Sequence, residues 1–486
     1  MSSQSPMMRR MKEKRFCYQS WFPRKGLIRA LLIVIGIFVC ANLSGAIFSN
    51  DKQSDTIKSA RIVKPDTDKK KNRKKPAGDV PQSTARYKFS FSEVSEMVQS
   101  TSCQFSASSD TIVKDGKKYT MHYSVDPELQ KLGKSLMKMY HPKYGAIVAI
   151  EPSSGRILSL ISYENDTVPK IGDHLYCKST FPAASVFKTV TAAAAIEKAN
   201  YSSGSIVRHV GKKSTLYKYQ LSKELSSFTE LPFEEAYAHS INPVFARIGM
   251  YVVGENSLTE YAGRLGFNTQ VPFELPCEVS PVKAPDSLVT LAELASGFNE
   301  ETRLTPLLGA MIASAICENG KMPVPSIVDS ITNGETADLY RFEKNTWRTP
   351  LREGTARELR TMMKATARIG TARKTFRIIK QTSIFDSIDY GGKTGSVDKD
   401  STGRVDWFIG FARNPYRQKE RIAVGVVTVH GAYWTVHSSY IAAEYFRNYI
   451  SALRKNEKVK SDSIKMIANN DKGDLQNSAQ TADKKL

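Results

Sequence analysis

The first long apolar stretch of the chain lies near its N-terminus. From Ala30 to Phe48 the chain reads ALLIVIGIFVCANLSGAIF without a charge. At about 1.5 Å per residue a helix of that length reaches roughly 28 Å, the thickness of a bilayer core, so the run predicts a transmembrane helix. Residues 49–86 are low in large apolar side chains and carry the basic run Lys69 to Lys75, the pattern of a solvated linker. Beyond Tyr87 the pattern becomes globular. Thr111 to Val125 alternates about Asp115-Gly116, a strong hairpin signal. Asp126 and Pro127 suit the cap and first position of a helix with the stripe Leu129, Leu132, Leu136. Gly145 to Ile161 reads as two short apolar strands joined by the turn Glu151 to Gly155. From about 182 to 320 the periodicity is helical. Strand patterns return at Tyr390–Ser396, Asp406–Ala412 and Ile422–His430, before a closing helix near Ile441–Leu453. Strands at both ends of a helical middle predict an α+β domain, an antiparallel sheet flanked by helices with an all-helical subdomain. The resulting division is a basic segment 1–29, the transmembrane helix 30–48, a basic flexible linker 49–86, a small segment 87–140, the main domain 141–455, and a disordered polar tail 456–486.

Charge changes this picture mainly at the N-terminus. The formal net charge is +22, a value that first suggests nucleic acid, but its placement points to a membrane surface. Arg9, Arg10, Lys12, Lys14, Arg15, Arg24, Lys25 and Arg29 precede the apolar run, offset only by Glu13. Lys52, Lys58, Arg61 and Lys64 follow it, interleaved with Asp51 and Asp55. The larger cluster should keep the N-terminus in the cytoplasm and place the bulk of the chain outside the cell (inner) membrane, in the periplasm or its equivalent. Cleavage after small residues such as Ser44 and Ala46 is the alternative to a retained single-pass anchor. Six cysteines show no metal-ligand spacing. Cys17 falls in the cytoplasmic segment and Cys40 in the membrane. Cys103, Cys177, Cys277 and Cys317 would face an oxidising compartment, where disulfides and buried thiols are both open readings. No metal and no cofactor are expected.

The candidate chemistry starts at FPAASVFKTVTAAAAIEKAN, residues 181–200. This Ala-rich segment reads as a helix with Pro182 at its start, Ser185 in its first turn and Lys188 three residues on, on the same face. A serine hydroxyl becomes nucleophilic when a base takes its proton, and a neutral lysine can do that. The spacing alone is weak, because Ser135 and Lys138 share it on what reads as the exposed side of an ordinary helix. Two further motifs add weight: Ser240-Ile241-Asn242, and Lys393-Thr394-Gly395 on a predicted strand.

Taken in order, Ser-x-x-Lys, Ser-x-Asn and Lys-Thr-Gly resemble the penicillin-binding protein transpeptidase family, over about residues 145–450. The phrases AIVAIEPSSGRILSLIS, RLTPLLGAMIASAICENGKM, Gly370-Thr371-Ala372 and DWFIGFA share the resemblance. It implies a penicillin-binding transpeptidase or β-lactamase-like fold and a peptidoglycan D,D-transpeptidase that cross-links stem peptides and is acylated by penicillin. Ser185 would attack the D-alanyl-D-alanine carbonyl, and Lys188 would act as base, its pKa lowered by burial and by the like charge of Lys393. Ser240 would relay a proton to the leaving amine, and Asn242 would bind the substrate amide and orient Lys188. Lys393 and Thr394 would hold the terminal carboxylate, Gly395 would let substrate lie close to the strand, and the N–H groups of Ser185 and Ser396 would form the oxyanion hole. Ser-Ile-Asn in place of Ser-Asp-Asn leaves the Ser and Asn roles intact. Implied partners are peptidoglycan stem peptides, β-lactam antibiotics as inhibitors, the membrane and a glycosyltransferase, since residues 87–140 are too few for a polymerising domain. Nucleic acid is not a partner. Carboxypeptidase action, a β-lactam-binding sensor or scaffold, and a class D-like β-lactamase are the alternatives. The helical middle lacks the Glu-x-x-x-Asn of class A β-lactamases. His239 is expected at the rim of the site, and Trp407 and Phe408 in the core.

Overall fold

A computed structural model describes residues 88–482 apart from 102–104, 335–337 and 400–402. The expected transmembrane helix 30–48, its flanks 1–29 and 49–86, and Cys17, Cys40 and Cys103 lie outside the described residues. The described chain opens with α1 (Phe91–Gln99), fixed by a capping box between Ser90 and Glu93. The Asp115-Gly116 hairpin forms as β1 (Ser109–Lys114) and β2 (Lys117–Tyr123). Asp126 accepts the N–H groups of Glu128 and Leu129 to cap α2 (Pro127–Tyr140). The apolar pair beyond it becomes the antiparallel strands β3 (Tyr144–Ile150) and β4 (Ile157–Glu164).

The helical middle comprises α3 (Lys188–Ala199), α4 (Phe233–Ala238), α5 (Asn242–Ile248), α6 (Gly254–Arg264), α7 (Leu288–Ser296) and α8 (Pro306–Cys317). A small hairpin, β5 (Ile206–His209) with β6 (Thr229–Pro232), interrupts it. Then follow β7 (Met322–Pro323), β8 (Val328–Thr332), β9 (Asp338–Arg341), β10 (Thr346–Arg348), α9 (Glu353–Arg368) and α10 (Arg373–Lys380). The chain closes with β11 (Asp389–Lys399), β12 (Gly403–Arg413), β13 (Arg421–His430) and α11 (Ser438–Ala482).

The central sheet has the order β11-β12-β13-β3-β4, every pair antiparallel, so the two ends of the domain meet where β13 pairs with β3. Its inner strands are covered on both faces, which is why they read as continuous apolar runs instead of alternating ones. Ala423, Val427 and Val429 point into one core with α8, while Ile422, Val424 and Val426 point into the other with α2, α10 and α11. All residues of α8 are buried. The α+β expectation and the helical middle are both met.

Two expected boundaries shift. The segment 87–140 is not a separate unit, because β1 and β2 join β8 and β9 in one four-stranded sheet, β1-β2-β8-β9, and share the main core. The stretch expected to be a disordered tail is helical to Ala482, as a continuation of α11. Polarity had suggested disorder, but residues 456–482 hold no proline and one glycine, and they extend a helix already held by the packed turns through Ile450. The open cysteine readings both occur. Cys177 and Cys277 form a disulfide that ties the approach to Ser185 to the segment before α7. Cys317 is a buried free thiol, pushed up to about 12 by burial.

Glu274 is fully buried near that bridge. It accepts hydrogen bonds from Ser326 Oγ and, at 3.3 Å, from the Ile327 N–H, and burial raises its carboxyl from 4.5 to about 7. Between those values the folded chain holds a proton that the unfolded chain has released. Rising pH should therefore remove on the order of 3 kcal/mol of stability across that window. Thermal unfolding of Glu274→Gln should show a gain over the parent that is larger at pH 8 than at pH 5. An equal gain at both would contradict this ionisation.

Candidate active site

Ser185 lies in a short 3-10 turn, Ala184–Phe187, that feeds into α3 at Lys188. Pro182, expected at the first helical position, is instead in a bridge with Arg303 just ahead of the turn. Its carbonyl accepts the Trp407 Nε1–H at 2.7 Å, so the buried indole of β12 holds the approach to the nucleophile. Lys188 Nζ is 2.6 Å from Ser185 Oγ, 2.7 Å from Asn242 Oδ1 and 2.5 Å from the Ser296 carbonyl. The lookalike Ser135 and Lys138 are both exposed on α2.

The middle motif straddles a core residue. Ile241 is fully buried, and the serine and asparagine on either side of it line the cleft. An apolar residue between them anchors the turn from α4 to α5, which explains why Ser-Ile-Asn serves where Ser-Asp-Asn might stand. Ser240 takes a positive φ of 56° to make this turn. Lys393, on β11, donates to Ser240 Oγ at 3.0 Å and to the Thr394 carbonyl at 2.7 Å. Thr394 Oγ1 is 2.5 Å from Thr371 Oγ1.

Gly395 also has a packing use. A Cβ there would come within 3.1 Å of the Ala183 carbonyl and 3.2 Å of the Val186 nitrogen. The missing side chain therefore lets β11 pack against the nucleophile's own turn. β11 is the edge strand of the sheet, and its residues Thr394 and Ser396 border a cleft of about 560 Å³ shared with Ser185, Ser240, Asn242 and Thr371.

Both lysines are wholly buried, and among the described residues no ion pair to a carboxylate involves either. Each lies over an aromatic ring: Lys188 Nζ 5.7 Å from the Phe245 centroid and Lys393 Nζ 5.5 Å from the Tyr237 centroid. Desolvation, followed by the like charge of Lys393, holds Lys188 well below its ordinary value. Burial lowers Lys393 to about 7. The arrangement supplies a hydroxyl nucleophile beside an amine able to take its proton, with a second amine across the cleft.

Residues 145–451 match the sequence pattern of the penicillin binding protein transpeptidase domain. The chain belongs to that family. Among its relatives, peptidoglycan D,D-transpeptidase PbpA of Mycobacterium tuberculosis is 24% identical over 345 residues, 64% of this chain and 67% of that protein. Stage V sporulation protein D of Bacillus subtilis is 24% identical over 322 residues, 62% of this chain and 48% of that protein. The solved structure of penicillin-binding protein A from M. tuberculosis as an imipenem acyl-enzyme complex shares the fold. It has a TM-score of 0.55 at 22% identity, covering 67% of this chain and 78% of that one. The D,D-transpeptidase domain of a peptidoglycan glycosyltransferase from Eggerthella lenta does so with a TM-score of 0.57 at 19% identity, over 74% and 87%.

In this penicillin-binding transpeptidase fold the eight residues picked from sequence are brought to one place. Sequence reasoning missed the groups that complete the cleft: Lys213, Gly297, Phe298, Asp406, Trp434 and His437. His239 is at its border, as expected. Gly297 had no signal, since its use depends on the approach of two distant turns. It ends α7 at a φ of 66°, and a Cβ there would stand 2.0 Å from the Ala184 carbonyl. Gly297→Ala should displace the nucleophile's turn, slowing acylation by a fluorescent penicillin at least tenfold and costing about 1–3 kcal/mol of stability. Parent-like acylation and melting would show that this contact is not needed.

Proposed function

We propose that this chain is a peptidoglycan D,D-transpeptidase that acylates itself on Ser185 with the stem peptide of one strand and passes that acyl group to an amine of another. The observation that carries the reading is the 2.6 Å approach of Lys188 Nζ to Ser185 Oγ in a buried pocket. In such a place burial holds the amine well below its ordinary pKa, which favours the neutral form that can serve as general base.

Ser185 Oγ attacks the carbonyl between the two terminal D-alanines as its proton moves to Lys188 Nζ. The backbone N–H groups of Ser185 and Ser396 receive the oxyanion. Ser240, held by Lys393 at 3.0 Å, passes a proton to the departing D-alanine amine. Asn242 holds Lys188 in line and offers its amide to the substrate. Lys393, Thr394 and the neighbouring Thr371 bind the terminal carboxylate. β-Lactams enter the same path as inhibitors, acylating Ser185 in place of the peptide. The names of the relatives, D,D-transpeptidases and β-lactam acyl-enzymes, support this reading.

The uncharged run Ala30–Phe48 and the basic residues before it support a single-pass anchor in the cell membrane, with the N-terminus cytoplasmic. Residues 49–86 serve as its linker, and the catalytic domain works on the outer face beside a glycosyltransferase that supplies glycan strands.

Penicillin labelling tests the nucleophile. The parent should carry one covalent adduct and Ser185→Ala none, whereas equal labelling would refute the assignment. The carboxylate site has its own signature, because Lys393 loses its charge as pH rises through about 7. Between pH 6 and 8, kcat/KM for a donor with a free terminal carboxylate should fall relative to the same donor capped as an amide. Parallel profiles would place carboxylate recognition elsewhere.

A further inference from the structure

One wall of the cleft carries an imidazole that the three motifs leave unused. Asp406 stands opposite Ser396 across the β11–β12 pair and is 4% exposed. Its Oδ1 accepts the Ser396 hydroxyl at 3.2 Å, and its Oδ2 accepts the Ser438 N–H at 2.7 Å. That same Oδ2 lies 3.8 Å from Nδ1 of His437. The His437 side chain is 55% exposed and borders the cleft together with Ser185. Its ring is fixed from the side by Trp434, 4.5 Å away, which itself stacks on His430. With Nδ1 turned to the carboxylate, Nε2 is the ring nitrogen left for a molecule in the cleft.

From this geometry, and resting on the transpeptidase reading, we propose that His437, supported by Asp406, is the base that deprotonates the acceptor amine. An acceptor amine arrives as an ammonium, since its ordinary pKa is about 10, and an ammonium has no lone pair to attack with. His437 Nε2 takes one proton, and the imidazolium that forms is stabilised by Asp406. The freed nitrogen then bonds to the acyl carbon, the bond from that carbon to Ser185 Oγ breaks, and the second amine proton passes through Lys188 to Oγ. The imidazolium afterwards gives its proton to solvent. Hydrolysis by water needs no such first step, because water arrives uncharged. The other groups near the imidazole are His430, Arg404 and the N-terminus of α11, which starts at the next residue. Arg404 is itself paired with Asp398. Asp406 is the carboxylate facing the ring, and because it also accepts from Ser396 and Ser438, the His437 substitution is the primary reading and the Asp406 one supports it.

The test uses the full chain with a D-alanyl-D-alanine donor and reads the ratio of aminolysis to hydrolysis from one acyl-enzyme, which is independent of how fast Ser185 is acylated. With a strongly basic acceptor at pH 7, His437→Gln should lower the ratio about tenfold or more, and Asp406→Asn should lower it by less. The loss should disappear with a weakly basic acceptor such as hydroxylamine, which arrives uncharged, and shrink for the strongly basic one towards pH 9. A ratio equal to the parent's with the basic acceptor, or one lowered equally for both acceptors at every pH, overturns the assignment while leaving the Ser185 reading intact. A parent that takes no penicillin on Ser185 overturns that reading, and this assignment with it.

Discussion

Lys188 is an amine in the protein interior with no carboxylate to pair it among the described residues, and the remainder of the site depends on that condition. A charged ammonium loses several kcal/mol of hydration on burial, and a partner carboxylate would have returned much of it. Here the surrounding groups are the Asn242 amide oxygen, the Ser296 carbonyl and the Phe245 ring face, which orient the amine without neutralising a charge. Lys393 opposes a second positive charge nearby, and the result is an amine directed at Ser185 Oγ and ready for its proton.

Keeping that pocket closed requires elements far apart in sequence. The sheet contributes its edge strand, whose glycine at 395 allows the strand to lie against the turn of the nucleophile, and its Trp407, whose indole N–H holds Pro182. The helical middle contributes the C-terminus of α7, where Gly297 closes on Ala184 and the preceding carbonyl reaches Lys188. The cleft is thus the seam between sheet and helices. The Cys177–Cys277 disulfide ties together two segments that border this seam. β11 is the edge strand of the sheet, and its Thr394 and Ser396 border the cleft.

Much of this was legible in the chain. Strands buried on both faces show as the apolar runs at 145–161 and 422–430, and Asp126 with Pro127 marks a helix start unambiguously. The motif residues Ser185, Lys188, Ser240, Asn242 and Lys393 were readable because their chemistry needs those side chains at those places. What sequence hid was tertiary in origin. Gly297 and the Ser296 carbonyl act through backbone, and Asp406 resembled an ordinary strand residue until its pairing with Ser396 set it beside His437. The pairing of β2 with β8 joins segments some 200 residues apart, so no local pattern marked residues 87–140 as part of the main domain. Composition does not show the helix after 456, because it extends packed turns instead of forming an independent element.

Lys188 must be neutral while its neighbours keep it in place if it is to take the proton of Ser185. Nitrogen-15 NMR of the lysine side chains, with the Lys188 resonance assigned by its loss in Lys188→Arg, reads that ionisation state directly. The chemical shift of an uncharged amine is expected at pH 7. An ammonium signal for Lys188 throughout neutral pH would contradict it.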